Sequence, residues 1–296
     1  MTLFYSKILL FGEYAIIKGS RGIAIPFENY SGRFEFANSK DSVPANLALD
    51  QFSAYLQNSG ILSHVLDIDQ FQEDINNGLY FRSNIPCGHG LGSSGALCAA
   101  IFCRYAYNFE LKNEYSSKEL KYIQDHLALL ESFYHGTSSG LDCLISLINK
   151  PILISGRNEL KIIDKPNFEH FGFFYLLDSN ISRKTAPLVH YFLDQLDRND
   201  DFKNSVSKFI IDTNSIIDSI KTSNRGEFIR LFEDISQMQL KTFSHMVPDE
   251  LKQLWKAGLE SKEYFFKLCG AGGGGFFLIY SNKDLTNRFD HLININ

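Results

Sequence analysis

A loop, a helix–turn segment and a second glycine run hold most of the residues able to do chemistry. The loop is Ile85-Pro86-Cys87-Gly88-His89-Gly90-Leu91-Gly92-Ser93-Ser94-Gly95-Ala96. It follows a predicted strand and opens a predicted helix. Glycines there let the backbone approach a ligand closely. The first amides of a helix lack internal partners and carry partial positive charge, so anions bind at that end without basic side chains. Ser93 and Ser94 add hydroxyls, one of which could reach a metal. The Gly88, Gly90, Gly92 spacing is neither the Rossmann fingerprint nor Walker A, because no Gly-Lys-Ser/Thr follows. Taken alone, the stretch is equally a glycine turn with a serine N-cap.

The helix–turn segment runs from Glu131 to Asp142. Its two carboxylates are joined by a polar glycine turn and can converge on one cleft. One could hold Mg²⁺, which takes a carboxylate or two plus phosphate oxygens. The other could take or orient a hydroxyl proton. The plainer alternative leaves Asp142 in a helix's first turn and Glu131 in solvent. His135 could be a ligand, although a turn histidine bonded to backbone is the simpler reading. The second glycine run, Lys267-Leu268-Cys269-Gly270-Ala271-Gly272-Gly273-Gly274-Gly275, precedes a strand. Its amides could line a phosphate or substrate, or it is a flexible hairpin. Lys7 lies in an apolar first strand, where burial is costly unless the charge is paired. Asp142 would be a suitable partner; the alternative is an edge lysine facing water.

The elements that must position these groups follow from periodicity and turn residues. Strands are expected at Leu3–Phe11, Gly22–Phe27, Gly32–Ala37, Ile61–Ile68, Leu79–Asn84, Pro151–Ser155, Leu160–Ile163, Gly172–Leu177 and Phe276–Tyr280. Helices are expected at Asn46–Gln57, Leu91–Tyr107, Glu119–Tyr134, Ser138–Ile148, Ala186–Leu196, Phe202–Thr222, Glu227–Phe243 and Asp249–Leu259, with a short tail helix. Strands followed by mixed helices imply α+β layers and not a regular βαβ array. A change of texture at Lys165–Phe171 marks the domain boundary, giving domains 1–168 and 169–296. No internal repeat or low-complexity linker interrupts the chain.

The 296 residues suffice for one large or two medium domains with a real core. A net charge of −5 and the lack of a basic run exclude the footprint of a nucleic-acid binder. The N-terminal stretch reads as a strand and not a signal peptide. No apolar run reaches the length of a membrane span. The five cysteines form no CxxC pair, which points to reduced thiols, a cytoplasmic location and small buried side chains.

The order of these stretches resembles that of the GHMP kinase superfamily, and within it the mevalonate kinase family. Members carry a lysine-bearing first strand, a Pro-x-Gly-x-Gly-Leu-Gly-Ser-Ser loop and a late Gly-Ala-Gly-Gly-Gly loop. Here these are Lys7 to Glu13, Pro86 to Ser94, and Gly270 to Gly275, so the resemblance spans essentially the whole chain. Glu131…His135-Gly136…Ser139-Gly140-Leu141-Asp142 is similar to the mevalonate kinase Glu…His-Gly-x-Pro-Ser-Gly-x-Asp segment, and Asp178 to Thr185 to the stretch opening its second domain.

The resemblance implies a two-domain fold, with a ribosomal-protein-like N-terminal domain and a ferredoxin-like C-terminal domain, and an active site between them. It implies ATP and Mg²⁺ as cofactors and an alcohol such as mevalonate as substrate, with no nucleic acid and no membrane partner; a homodimer is left open. By the same resemblance Asp142 is the catalytic carboxylate and Lys7 pairs with it. Gly88, His89, Gly90, Leu91, Gly92, Ser93 and Ser94 cradle the ATP phosphates, and Ser94 and Glu131 hold Mg²⁺. Glu13, Tyr14, Arg183, Thr185, Gly270, Ala271 and Gly272 lie on the substrate side. This chain departs from the family at Phe4-Tyr5-Ser6 before Lys7, at Thr137-Ser138 in the aspartate segment, and at Tyr14, where the family has a substrate-facing histidine. The alternatives are another GHMP kinase acting on phosphomevalonate, a sugar or homoserine, or a non-catalytic metabolite-binding relative.

Overall fold

The computed structural model describes residues 2–37, 47–156, 159–182, 185–289 and 291–296. Two antiparallel sheets organise it. The first joins β1 (Phe4–Phe11), β2 (Gly22–Phe36), β4 (Ile152–Ser155) and β5 (Glu159–Ile162) in that order, with β3 (Leu79–Ser83) also paired to β2. β2 is one long strand where two shorter ones were expected. Its beginning pairs with β4, its middle with β1 and its end with β3. The residues 28–31 that read as a break in the sequence stay in the strand, where a register shift opposite Tyr5 and Ser6 absorbs the irregularity.

The second sheet, β9-β6-β8-β7, comprises β6 (Phe173–Asp178), β7 (Tyr264–Leu268), β8 (Phe276–Ser281) and β9 (Leu292–Asn294). This is the strand order of a ferredoxin-like sheet. Between its first two strands lie α7 (Thr185–Arg198), α8 (Asp200–Lys221), α9 (Arg225–Thr242) and α10 (Asp249–Ser261). The expected tail helix is instead β9, whose Leu292, Ile293 and Asn294 pair with β6. β7 was not anticipated. All five of its residues are buried, so it shows no alternation to separate it from the glycine run that follows.

The first sheet is covered by α3 (Ser93–Tyr105) and α5 (Leu141–Ile148), with α4 (Ser117–His135) against both. The alanines and Gly95 on α3 are buried, which lets the helix sit close to β1 and α5. α4 starts with a full capping box between Ser116 and Glu119. α1 (Leu47–Gln57) packs on α2 (Ile68–Asn76); of the expected Asn46–Gln57 helix, Asn46 lies outside the described residues. The expected strand Ile61–Ile68 is a 3₁₀ turn at Leu62–His64 leading into α2, where the Asp67 carboxylate caps the Gln70 amide. α6 (Phe168–Phe171) occupies the stretch read as the domain boundary.

The two sheets share an aromatic core. Phe11 of β1 meets Phe228 and Phe232 of α9 edge-on, each at 6.2 Å between ring centroids. Phe228 and Phe232 in turn contact Phe174 and Tyr280 of the second sheet. At the surface Arg21 is held on α8 by the Asn214 carbonyl and the Asp218 carboxylate. Three of the five cysteines are buried as expected, but Cys103 is half-buried and Cys87 exposed.

Candidate active site

The site is assembled where the loop after β3 enters α3. Gly88, Gly90 and Gly92 take φ values of 77°, 80° and 79°. Those left-handed conformations are cheap only for glycine, and a loop built with them can present its amides to an anion. Gly92 is the N-cap of α3, with no side chain capping the helix, so its first amides remain open for an anion. The Leu91 carbonyl accepts from the Lys7 amide at 3.0 Å, tying the loop to β1.

Lys7 points into this corner. Its Nζ is 3.0 Å from Asp142 Oδ2, and the lysine side chain is 9% exposed against 34% for the aspartate. A buried ammonium needs such a partner, so the edge-lysine reading is set aside. Asp142 lies in the first turn of α5, and a Cβ added at Gly92 would lie 3.3 Å from Lys7 Cγ and 3.5 Å from Asp142 Cβ. The pair therefore stands directly against the tip of α3.

Beside it, Ser94 Oγ donates to Glu131 Oε1 at 3.0 Å, and Ser138 donates to Glu131 Oε2. Glu131 is 5% exposed and not solvated. His135 Nε2 lies 3.0 Å from Ser94 Oγ, so this histidine joins the cluster instead of a backbone group. A carboxylate and a hydroxyl at a helix N-terminus form an oxygen donor set of the type Mg²⁺ accepts alongside phosphate.

The opposite wall comes from the second glycine run between β7 and β8. Gly275, at φ 67°, presses on the loop: a Cβ there would lie 2.3 Å from the His89 carbonyl oxygen. Its amide donates to the Ile181 carbonyl at 2.8 Å. His89 Nδ1 is 3.1 Å from both carboxylate oxygens of Asp178, at the end of β6. The histidine of the first loop is thereby latched to the second sheet.

Glu13 and Tyr14 do not line an open pocket. The Glu13 side chain has no solvent exposure and pairs with Lys267 Nζ at 2.6 Å. Gln239 of α9 donates to Glu13 Oε1 and accepts from the Leu268 amide at 2.9 Å. Glu13 Oε2 is buried without a hydrogen-bond partner. Burial pushes the Glu13 carboxyl above the usual range, against the pull of Lys267. The Tyr14 hydroxyl donates to the Ala271 carbonyl at 2.5 Å, and its ring packs on Phe192 and Phe243. Both residues fasten the glycine run from behind. Burial pushes the nearby Cys269 thiol up to about 12.

Of the other expected substrate-side residues, Gly270, Ala271 and Gly272 form the start of the glycine run, and Thr185 is the exposed first residue of α7. Arg183 lies outside the described residues. Sequence reasoning gave no role to Gln239 or Asp178. Asp178 ends a buried strand, the usual place for a cleft residue, whereas nothing in the sequence distinguishes Gln239 from other helical glutamines.

Residues 59–150 match the family described as GHMP kinases N terminal domain. The chain is 22% identical to the mevalonate kinase of Dictyostelium discoideum over 98% of its own length and 88% of that protein. It is 25% identical to the mevalonate kinase of Archaeoglobus fulgidus, covering 91% and 88%. The crystal structure of L. major mevalonate kinase in complex with R-mevalonate superposes with a TM-score of 0.66 at 15% identity, covering 99% of this chain and 94% of that one. In sequence over residues 59–150 and in fold over nearly its full length, the chain thus resembles the GHMP kinases, mevalonate kinases in particular.

Proposed function

We propose that this chain is an ATP- and Mg²⁺-dependent small-molecule kinase, and that its acceptor is the terminal hydroxyl of mevalonate. The observation that carries the kinase reading is the Lys7–Asp142 pair set against the open amide end of α3. An anion held by those amides places its outer phosphorus beside a carboxylate fixed in direction by a buried lysine.

In this reading Gly88 to Ser93 hold the polyphosphate through backbone amides. Ser94 and Glu131 would hold Mg²⁺, which when bound neutralises charge on the phosphate oxygens. Asp142 orients the acceptor hydroxyl and takes its proton. The alcohol oxygen bonds to the γ-phosphorus, the bond to the β-phosphate oxygen breaks, and ADP leaves. Lys7 keeps the carboxylate aimed. Such a transfer needs little covalent help, and positioning with electrostatics does most of it.

Gly270 to Gly272 and Thr185 form the acceptor side, to which Arg183 is assigned on the sequence resemblance alone, while Glu13 and Tyr14 brace that wall from behind. Mevalonate is favoured by the named relatives and by the Glu131 to Asp142 segment. The division into domains 1–168 and 169–296 and a cytoplasmic setting belong to the same proposal. Strands of the first sheet end at Ile162 and those of the second begin at Phe173, which supports the division. Among the described residues no helix is long and apolar enough to cross a membrane.

An ADP-release assay with mevalonate, phosphomevalonate, galactose and homoserine tests the reading. Turnover with mevalonate well above the others is expected. Turnover with only another alcohol would replace the acceptor. Nucleotide binding with no turnover on any would favour a metabolite-binding relative.

A further inference from the structure

We infer that Tyr14 is a positioning residue for the acceptor: its hydroxyl pins the Ala271–Gly272 peptide so that the Gly272 amide donates to a carboxylate on the acceptor molecule. The inference rests on the kinase reading above and deepens its acceptor side.

Tyr14 takes φ 61° and ψ −44°, and across it the Ala15 amide donates to the Glu13 carbonyl at 2.6 Å. That is the rare form of γ-turn, strained for any residue with a side chain. Such a conformation persists only where the surroundings over-determine it, and it gathers at functional sites. Here the Tyr14 ring centroid is 4.6 Å from that of Phe192 and 5.4 Å from that of Phe243, and the hydroxyl donates to the Ala271 carbonyl at 2.5 Å.

That last bond fixes a second group. In a planar trans peptide the N–H points away from the C=O. The Ala271 carbonyl faces Tyr14, so the Gly272 amide faces away from the aromatic cluster. The Gly273 and Gly275 amides are taken by the Met246 and Ile181 carbonyls at 2.6 and 2.8 Å. Among the described residues nothing accepts from the Gly272 amide, although Gly272 is buried. A buried donor without a partner is costly and calls for a ligand or water. At Gly272 φ is 68°, and a Cβ would run into the Met246 carbonyl, so glycine alone brings the amide to this place.

The chemistry of the ligand follows from the charges nearby. Lys7 and Lys267 both act on the Cys269 thiol at the head of the run, and each is committed to a carboxylate, Asp142 and Glu13. An acceptor anion on this wall is therefore met by amide dipoles of left-handed glycines. Mevalonate carries a carboxylate at the end away from its reacting hydroxyl.

The test compares wild-type protein with Tyr14→Phe, which keeps the ring and loses the hydroxyl. The KM for mevalonate should rise about tenfold, the weight of one hydrogen bond to a charged group. Both kcat and affinity for a non-hydrolysable ATP analogue should stay within about twofold, as when binding common to ground and transition states is lost. With the triol in which a hydroxymethyl group replaces the carboxylate of mevalonate, the two proteins should differ by less than about twofold. A merely structural role would weaken both acceptors alike. A second readout needs no turnover. Ala-Gly occurs in the chain only at Ala257-Gly258 and Ala271-Gly272, so carbonyl-¹³C alanine with ¹⁵N-glycine marks those two amides alone. Ala257→Ser, at an exposed position of α10, removes the first. Mevalonate added with the analogue should move the Gly272 amide signal in wild-type protein and much less in Tyr14→Phe. An unmoved signal with mevalonate bound, an equal penalty for both acceptors, or turnover confined to alcohols without a carboxylate overturns the inference and leaves the kinase reading standing. If the wild type phosphorylates no alcohol, the kinase reading fails and the inference fails with it.

Discussion

The carboxylate of Glu13 and the ammonium of Lys267 lie 2.6 Å apart with side chains 0% and 1% exposed, joining the segment after β1 to the end of β7. Lys267 Nζ also donates to the Leu268 carbonyl at 2.7 Å and faces the Phe11 ring at 5.2 Å. Neither charge can reach water, so each depends on the other.

Removing the cation should therefore cost more than an ordinary core substitution. Lys267→Met leaves Glu13 without its charged partner and is expected to lower stability by about 3–5 kcal/mol, measured by urea unfolding. The pH dependence has a definite sign. Burial already raises the Glu13 carboxyl above its ordinary 4.5, and loss of Lys267 removes the opposing pull. A folded-state value above the unfolded one means the native form binds the proton more tightly, so this contribution is full below pH 4.5 and is lost as pH rises through the raised value. The deficit of Lys267→Met should shrink between pH 7.5 and pH 5; a deficit that grows on acidification would contradict this account.

Asp142→Asn keeps the size of the side chain near Lys7 but cannot accept the acceptor's proton. Turnover should fall by about 10²–10⁴-fold, while affinity for a non-hydrolysable ATP analogue, measured by calorimetry, stays within a few fold. Near-normal turnover would remove Asp142 from the reaction.

Gly275→Ala probes the contact between the two glycine stretches. The new methyl would have to occupy space 2.3 Å from the His89 carbonyl oxygen, at a φ of 67°. A stability loss of about 1–3 kcal/mol is expected from the backbone conformation, together with weaker nucleotide binding because the first loop is displaced. Unchanged affinity would show that the loop tolerates the shift.

The His89–Asp178 latch yields a coupling test. His89→Ala and Asp178→Asn should each weaken nucleotide binding. Because the two side chains act through one contact, the double variant should lose little more than either single one. Full additivity in a double-mutant cycle would mean the contact does not position the loop.

The parts of the site legible in the sequence were those encoded locally. Gly88 to Ser94 needs only strand, left-handed turn and helix start, all written in consecutive residues. The Glu131 to Asp142 segment is likewise a helix end, a turn and a helix start. Where the reading went astray, local signals were ambiguous or tertiary partners decided. The run Ile61–Ile68 is short and apolar, so periodicity alone could not separate strand from turn; Asp67 as an N-cap, with Ile68, Phe71 and Ile75 spaced along one face, was the overlooked signal. The tail became β9 because the edge of β6 offered it backbone partners. No local feature shows that Lys267 and Gln239 enclose Glu13. His135 was read as a backbone-bonded turn residue because Ser94, its partner, lies on another helix.

The bond from Tyr14 to the Ala271 carbonyl joins positions 257 residues apart, and that from Gln239 to Glu13 spans 226. These ties cannot form until Gln239 and Ala271 have left the ribosome. While residues 239–271 are still being made, an early-folded first sheet would leave the Tyr14 ring and the Glu13 charge uncovered. Such delayed closure slows folding and lengthens exposure of sticky surface. In the reading proposed above, the wall behind the acceptor thus cannot close until Ala271 has followed Tyr14, 257 residues behind it, out of the ribosome.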